Sequence, residues 1–217
     1  PEQGVWDVCA WYQPIHFFGY DWGIFIREEC LLRQALRIAS ISPSACDLGM
    51  HPGQYAQAII RASFAMFYLH EHFHHKVESF GIRLHVISGS SKYRSYKSTI
   101  YRPTLHTDDC LEEALANADA FHRLASQPYR GTLTPAISDA ARRYLEVTFP
   151  FDPPGYRQAQ HYLSRSKFVA GENLLQGQIH EARLAPVKAT TDWDAAPQLL
   201  RSIFHLRSNI YSVVPRG

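Results

Sequence analysis

The chain has 217 residues, of which 46% are hydrophobic and 19% are charged, and both values are ordinary for a globular protein. Its formal net charge of +2 at pH 7 argues against an extended nucleic-acid-binding surface, although it leaves room for a local basic patch. No apolar run approaches the roughly eighteen residues of a membrane span, and no signal sequence opens the chain. We therefore expect a cytoplasmic protein without a membrane partner.

Four cysteines, at positions 9, 30, 46 and 110, are widely separated and form no Cys-x-x-Cys pair. A structural zinc site built from cysteines is therefore not expected. Because no secretion signal is visible, we predict free thiols in a reducing cytoplasm, where they pack as small side chains.

Two elements are predicted before residue 50. Residues 22–26 form a short apolar run that is typical of a buried strand. Residues 28–39 follow, with apolar side chains at helical intervals, and residues 40–52 interrupt that pattern.

A long helix is predicted over residues 53–79. Pro52 suits its first turn, and Gly81 follows its last expected turn, where a left-handed cap is common. Residues 55–69 contain neither proline nor glycine, and their apolar side chains recur too densely for a solvent-facing helix. The pattern therefore indicates a buried helix.

The second half of this helix carries the sequence His-Glu-His-Phe-His, at residues 70–74. His70 and His74 are four residues apart, so both imidazoles lie on one helix face and can reach one metal ion. Glu71 lies beside them, where its carboxylate can take a proton from water that the ion has made acidic. A buried cluster of polar side chains also needs such a partner. The motif predicts a zinc site and metal-assisted hydrolysis, with a protein or peptide as substrate.

Two further strands are predicted after this helix, at residues 82–87 and 99–102. With the strand at residues 22–26, they would form a small sheet beside the active-site helix.

The segment between those two strands, residues 89–98, is polar, basic and aromatic in alternation. We favour a solvated hairpin tip, because loops are normally polar. A substrate-binding rim or lid is the second interpretation. Nucleic-acid binding is the third, with bases stacked on the tyrosines and phosphates bound by the basic residues, which are Tyr93, Tyr96, Lys92, Arg94 and Lys97.

Zinc needs a third protein ligand, and a catalytic site leaves its fourth position to water. Residues 111–121 are rich in alanine and leucine and predict a second helix. Its pattern Glu113-x-x-Ala116-Asn117 resembles the Glu-x-x-Ala-Asn element of the ImmA/IrrE-like metallopeptidases, which are zincins with a glutamate as third ligand. The resemblance implies His70, His74 and Glu113 as ligands and Glu71 as the base.

Other acidic residues remain alternatives at this point. Glu112 is the main rival as third ligand, and Asp109 and Glu78 are further candidates. A metal-bound histidine usually donates its other ring N–H to a carboxylate or carbonyl. The candidates for this orienting role are Asp108, Asp109 and Asp119.

Beyond residue 130 the chain changes character. Helices are predicted at residues 136–146, 156–169, 172–181 and 196–206, and a turn-rich connector at residues 149–155. We therefore predict a metallopeptidase core at residues 1–130 and a helical region at residues 131–217 packed on it, with a single domain over 1–217 as the alternative. Candidates for substrate binding or for stabilising the oxyanion are Tyr156 and His161, followed by Tyr162 and His180.

These patterns predict an α+β fold, a mainly helical zincin-like domain with a small antiparallel or mixed β-sheet beside the active-site helix. The predicted function is a zinc-dependent metallopeptidase. One alternative is a non-catalytic, metal-stabilised helical binding protein, in which His75, Asp109 or Glu112 fills the fourth metal position. The other is a nucleic-acid-associated protease that uses residues 89–98.

Overall fold

The computed structural model describes residues 9–126, 133–182 and 211–215. This part of the chain is mainly helical and carries a small three-stranded mixed sheet, which confirms the predicted α+β class. The helices are α1 (Ile15–Phe18), α2 (Glu28–Ile41), α3 (Pro52–Ser88), α4 (Lys92–Tyr96), α5 (Arg102–Thr104), α6 (Leu111–Leu124), α7 (Pro135–Thr148) and α8 (Arg165–Glu181). Short 3₁₀ helices span Gly19–Asp21, Phe149–Phe151 and Tyr156–Tyr162, and a π-helical turn spans Lys97–Tyr101.

The central element is α3, which runs for 37 residues. Pro52 occupies its first turn, as predicted, and the side chain of His51 accepts a hydrogen bond from the backbone N–H of Gly53. The helix continues through Gly81 and ends at Gly89, which adopts the left-handed conformation with φ of 68°. The prediction of a helix end at Gly81 was therefore wrong.

Gly81 is needed for close packing instead of capping. A Cβ atom at this position would lie 2.6 Å from Cβ of Tyr93, so only glycine allows α4 to approach α3 this closely. One glycine costs a helix only about 1 kcal/mol, too little to stop so long a helix. The predicted strand at residues 82–87 is consequently the last part of α3, and Val86 and Ile87 on it remain exposed.

The hairpin tip predicted at residues 89–98 and the strand predicted at residues 99–102 are also wrong, because residues 92–104 are helical. They form α4, the π-helical turn and α5. Tyr93 is fully buried and Tyr96 is 1% exposed. The two tyrosines therefore belong to the core and are not available to stack on bases.

The sheet has the order β1 (Ala10–Gln13), β2 (Gly23–Arg27) and β3 (Tyr211–Val214). β1 pairs with β2 in antiparallel register from Ala10 opposite Ile26 to Gln13 opposite Gly23, whereas β3 runs parallel to β2. The strand predicted at residues 22–26 is thus confirmed as β2.

A disulfide joins Cys9, just before β1, to Cys30 in the first turn of α2. The prediction of free thiols was wrong for this pair, because the β1–β2 hairpin brings residues 21 positions apart in sequence to a Cα–Cα distance of 5.4 Å. Cys46 and Cys110 are free. Disulfides persist mainly in oxidising compartments, so this bond removes the support that free thiols gave to a cytoplasmic location.

One hydrophobic cluster is built from α2, α3, α4, α6, α7 and α8, and α3 packs most extensively against α6. It joins residues on both sides of the predicted boundary at residue 130. The helix predicted at residues 136–146 is present as α7. The helices predicted at residues 156–169 and 172–181 are divided differently, because Tyr156–Tyr162 is a 3₁₀ helix and α8 already begins at Arg165. The predicted helix at residues 196–206 lies outside the described residues. No helix among the described residues has the length and apolar character that crossing a membrane requires.

Candidate metal centre

The motif residues occupy the middle of α3. His70 and His74 stand one helical turn apart, and their Nε2 atoms are 3.3 Å from each other. His70, Glu71 and His74 each offer one ligand atom within 4.8 Å of the others, so this group could hold a metal ion. Glu71 and His74 are each 6% exposed, which places the group in a largely buried environment.

Glu113 approaches the two histidines from α6. Its Oε2 atom lies 3.2 Å from Nε2 of His70 and 3.5 Å from Nε2 of His74. In a tetrahedral zinc site with bonds of about 2.0–2.1 Å, neighbouring ligand atoms are roughly 3.3–3.4 Å apart. The triangle of Nε2, Nε2 and Oε2 therefore has the dimensions of one face of such a site, whose fourth corner is taken by water in a catalytic zinc centre.

The bonding of Glu113 also fits a cation. Its Oε1 atom accepts a hydrogen bond from the hydroxyl of Tyr101. Its Oε2 atom is buried, and no hydrogen bond reaches it from any residue that the structure describes. A buried carboxylate oxygen without a hydrogen bond is costly, so this position favours a positive charge between Oε2 and the two imidazoles, carried by a proton on an imidazole or by a bound cation.

The outer nitrogens of both imidazoles have hydrogen-bond partners on α6. Nδ1 of His70 lies 2.8 Å from Oδ1 of Asn117, and Nδ1 of His74 lies 2.6 Å from Oε1 of Glu112. Since both partner atoms are acceptors, each Nδ1 carries the proton and each Nε2 of a neutral ring turns its lone pair toward Glu113. This is the tautomer that a metal ligand requires.

Glu112 therefore contacts the histidine nitrogen opposite to the one that faces Glu113. The predicted orienting partners are engaged elsewhere: Asp108 pairs with Arg157, and Asp119 pairs with Lys76. That prediction was wrong. Asn117 is part of the Glu-x-x-Ala-Asn pattern, so its position offered a signal, whereas nothing in the sequence distinguished Glu112 as a hydrogen-bond partner of His74.

Glu112 is fully buried and is held from the opposite side by two residues near α4. The Tyr96 hydroxyl donates to its Oε2 atom at 2.8 Å, and Nζ of Lys97 lies 3.1 Å from its Oε1 atom. Nζ of Lys97 also sits 3.2 Å from the ring centroid of Tyr101. Tyr96 and Lys97, from the segment predicted to be a hairpin tip, therefore hold Glu112 in place against His74. Nothing in the sequence indicated this role.

The carboxylates strongly favour a positive charge at the histidines. Burial lowers the pKa of His74, but the neighbouring Glu113 and Glu112 outweigh burial and raise it to about 10. Burial likewise lowers the pKa of His70, whereas contact with Glu113 and the charge of Glu71 raise it to a net value above normal. Burial raises the pKa of Glu113, but His74 and His70 hold it well below its usual range. Without a metal, a proton on His74 provides the positive charge that the carboxylates stabilise. A metal cation can replace this proton.

The site opens into a pocket of about 160 Å³. Tyr156 lines this pocket, and its ring stacks on His70 with centroids 5.7 Å apart and planes 13° apart. His161 and His180 are exposed, and neither lines this pocket. Of the predicted substrate-binding residues, the structure brings Tyr156 to the site and not His161, because the 3₁₀ helix turns His161 to the surface.

The remaining candidate ligands, Glu78, Asp109 and His75, do not line the metal-site pocket. Glu78 is buried one turn beyond His74, where it accepts hydrogen bonds from Tyr12, from His16 and from the backbone N–H of Ile15. Asp109 is exposed, and His75 contacts the Tyr12 hydroxyl.

Comparisons with known proteins found no match to this chain among protein-family models, curated proteins or solved structures. The chemistry of the site is therefore inferred from its own residues.

Proposed function

We propose that this chain is a zinc-dependent metallopeptidase in which His70, His74 and Glu113 hold Zn²⁺ and Glu71 is the general base. The observation that carries the proposal is the triangle of Nε2, Nε2 and Oε2 atoms, with edges of 3.2 to 3.5 Å and one unsatisfied carboxylate oxygen. The resemblance to the ImmA/IrrE-like metallopeptidases supports the same set of residues.

The donor set, together with the tetrahedral spacing of its atoms, fits zinc. Two imidazole nitrogens and one carboxylate oxygen with an open fourth position are typical of a catalytic zinc site. A bound zinc ion would supply a Lewis acid that polarises a carbonyl and makes water acidic enough to lose a proton near pH 7.

Glu71 supplies the proton transfers. It lines the same pocket as His70 and His74, so its carboxylate can take the proton of the attacking water and pass it to the leaving amine. Tyr156 lies on the pocket wall against His70, where it contributes to holding the substrate.

An extended peptide is the substrate that best fits the walls of the pocket. Ala10, Trp11 and Tyr12 of β1 line it, and among the strands that the structure describes β1 pairs with β2 alone. The other edge of β1 has backbone groups that can pair with an extended peptide beside the metal.

Metal analysis and peptide cleavage together test the proposal. We expect one zinc per chain in the parent and in Glu71→Gln, with turnover of a broad peptide mixture reduced by about 100-fold or more in the variant. His74→Gln should lose zinc. Glu146→Gln removes an exposed carboxylate on α7 and is the matched control that should keep both properties. A parent protein that takes up no ion, or a Glu71→Gln variant with undiminished turnover, would contradict the proposal.

The same experiment separates a catalytic site from a closed structural one. Glu71 belongs to the group that could hold the ion, so a closed site would use its carboxylate as a fourth ligand. Glu71→Gln would then weaken zinc binding as His74→Gln does. Retention of zinc without turnover is expected only if Glu71 acts as the base.

A further inference from the structure

A second pocket lies next to the metal centre. It has a volume of about 370 Å³, and its lining includes Cys9, Phe67 and two arginines of α2. Phe67 also lines the metal-site pocket, and Cys9 directly precedes Ala10, which lines that pocket as well. The two pockets are therefore neighbours, and they share Phe67 as a common wall. We call the second one the arginine pocket.

The charge of this pocket comes from α2. Arg33 and Arg37 are four residues apart, so their side chains lie on the same face of the helix, and both are exposed. Arg33 pairs with Glu29 at 2.6 Å, but both side chains are about half exposed, and such surface pairs contribute little. Arg37 contacts a neutral group, the hydroxyl of Tyr144, at 3.5 Å. The guanidinium groups of Arg33 and Arg37 can therefore form hydrogen bonds with an anion that enters the pocket.

Of the other polar residues in the lining, Gln34 is neutral and Asp152 is acidic. Gln34 lies between the arginines in sequence, is 4% exposed, and directs its amide nitrogen at the sulfur of Met66, which is a weak acceptor, at 3.7 Å. Asp152 also lines the pocket, but its Oδ2 atom accepts a hydrogen bond from Asn117. With two arginines and one aspartate, the lining carries a formal net charge of +1.

We propose that the arginine pocket binds a carboxylate of the peptide held at the metal centre, through Arg33 and Arg37. This inference rests on the proposed function. The two pockets share Phe67, and Cys9 adjoins Ala10, so an extended peptide paired with β1 at the metal centre can continue toward the arginine pocket. The carboxylate is either the side chain of an acidic residue or the C-terminal carboxylate of the peptide. Guanidinium groups bind both in the same bidentate manner.

Peptide binding to zinc-loaded Glu71→Gln protein tests the site without turnover. Fluorescent peptides with one Glu at successive positions are compared with an all-neutral peptide by anisotropy, and each is made with a free acid or an amide at its C-terminus. A Glu at one position, or the free acid, is expected to tighten Kd about tenfold or more, since hydrogen bonds to charged groups are among the stronger ones. The preferred peptide identifies the source of the carboxylate.

The double variant Arg33→Gln/Arg37→Gln should remove this preference and leave the Kd of the neutral peptide unchanged. Arg83→Gln is the matched control, because Arg83 is exposed on α3 and lines neither pocket. Equal affinity for neutral and acidic peptides would overturn the inference while leaving the peptidase proposal intact.

A second measurement does not depend on zinc. Phenylglyoxal modifies accessible arginines, and mass spectrometry reports its rate at each position. N-acetylglutamate is expected to slow modification of Arg33 and Arg37 and not of Arg83. If no peptide binds and no zinc is taken up, the proposed function fails, and this measurement still decides whether the pocket holds a carboxylate. The inference would be overturned if N-acetylglutamate changed the modification rate of Arg33 and Arg37 no more than that of Arg83.

Discussion

Oε1 of Glu112 on α6 lies 2.6 Å from Nδ1 of His74 on α3, and Nζ of Lys97 lies 3.1 Å from the same oxygen. This chain of contacts fixes the ring of His74 from the side opposite to Glu113. Glu112 is fully buried, so its carboxylate is not free to swing to another partner.

Glu112→Gln should therefore weaken zinc binding without removing a ligand. Loss of such an orienting hydrogen bond typically costs 10–100-fold in metal affinity, and we expect that range here. Competition with a chelator of known affinity measures the change, and Glu146→Gln is the control. An unchanged zinc affinity would contradict the orienting role of Glu112.

The metal-free protein should lose stability as the pH rises. The folded-state pKa of His74 is raised to about 10 from a normal value of 6.5, so its protonation stabilises the fold fully below about pH 6.5, and this contribution disappears as the pH rises through about 10. The free energy of unfolding in urea should therefore decrease between these pH values, and His74→Gln should show a smaller decrease. Glu113 has the opposite shift, so its contribution is lost below about pH 4.5.

Zinc affinity should increase over the same pH range, because the ion displaces the proton. Isothermal titration calorimetry in buffers of different ionisation enthalpy counts the protons released. Zinc uptake without proton release at pH 7 would contradict a protonated His74 in the metal-free site.

Two glycines inside helices should respond in opposite ways to alanine. At Gly81 a Cβ atom would meet Tyr93 at 2.6 Å, so Gly81→Ala should destabilise the protein by about 1–3 kcal/mol despite the better helix propensity of alanine. At Gly177 in α8, no atom of the described residues beyond the helix's own backbone lies within 4 Å of the new Cβ, so Gly177→Ala should stabilise by about 0.5–1 kcal/mol. Urea denaturation of both variants tests the packing of α4 on α3, and equal effects at the two positions would contradict it.

Removing the Cys9–Cys30 disulfide should affect stability more than metal binding. The bond closes a loop with a sequence separation of 21, for which the chain-entropy model gives about 3 kcal/mol. We expect the double variant Cys9→Ser/Cys30→Ser to lose about that much unfolding free energy, with zinc affinity within about twofold of the parent. The proposed ligands lie on α3 and α6, whereas the bond holds β1, so peptide binding is the property that should weaken. Cys46→Ser, at an exposed free cysteine, is the control.

The sequence predicted the elements whose geometry is local. Four-residue spacing puts His70 and His74 on one face of any helix, and a long run without breakers predicted α3 around them. The strand β2 and the helix α2 followed from short-range periodicity in the same way. The position of Glu113 beside the histidines was expected from a resemblance, since nothing in the spacing of two separate helices fixes their contact.

The rest depended on tertiary contacts. Residues 82–87 alternate like a strand, yet they continue α3, because the preceding helix outweighs a weak local pattern. Tyr96 and Lys97 looked like loop residues until their contacts with buried Glu112 were known. The pairing of Cys9 with Cys30 likewise required the β1–β2 hairpin, which the sequence did not predict.

Both imidazole rings are on α3, and α6 contacts each of them twice, through Asn117 and Glu113 at His70 and through Glu112 and Glu113 at His74. Neither ring can rotate about its χ angles without breaking one of these contacts. The site is thus preorganised, because the side chains of the ligands lose their conformational entropy during folding and not during metal binding. The speed of ion uptake should accordingly be governed by diffusion through the pocket mouth and by departure of the resident proton, with no slow rearrangement of the helices.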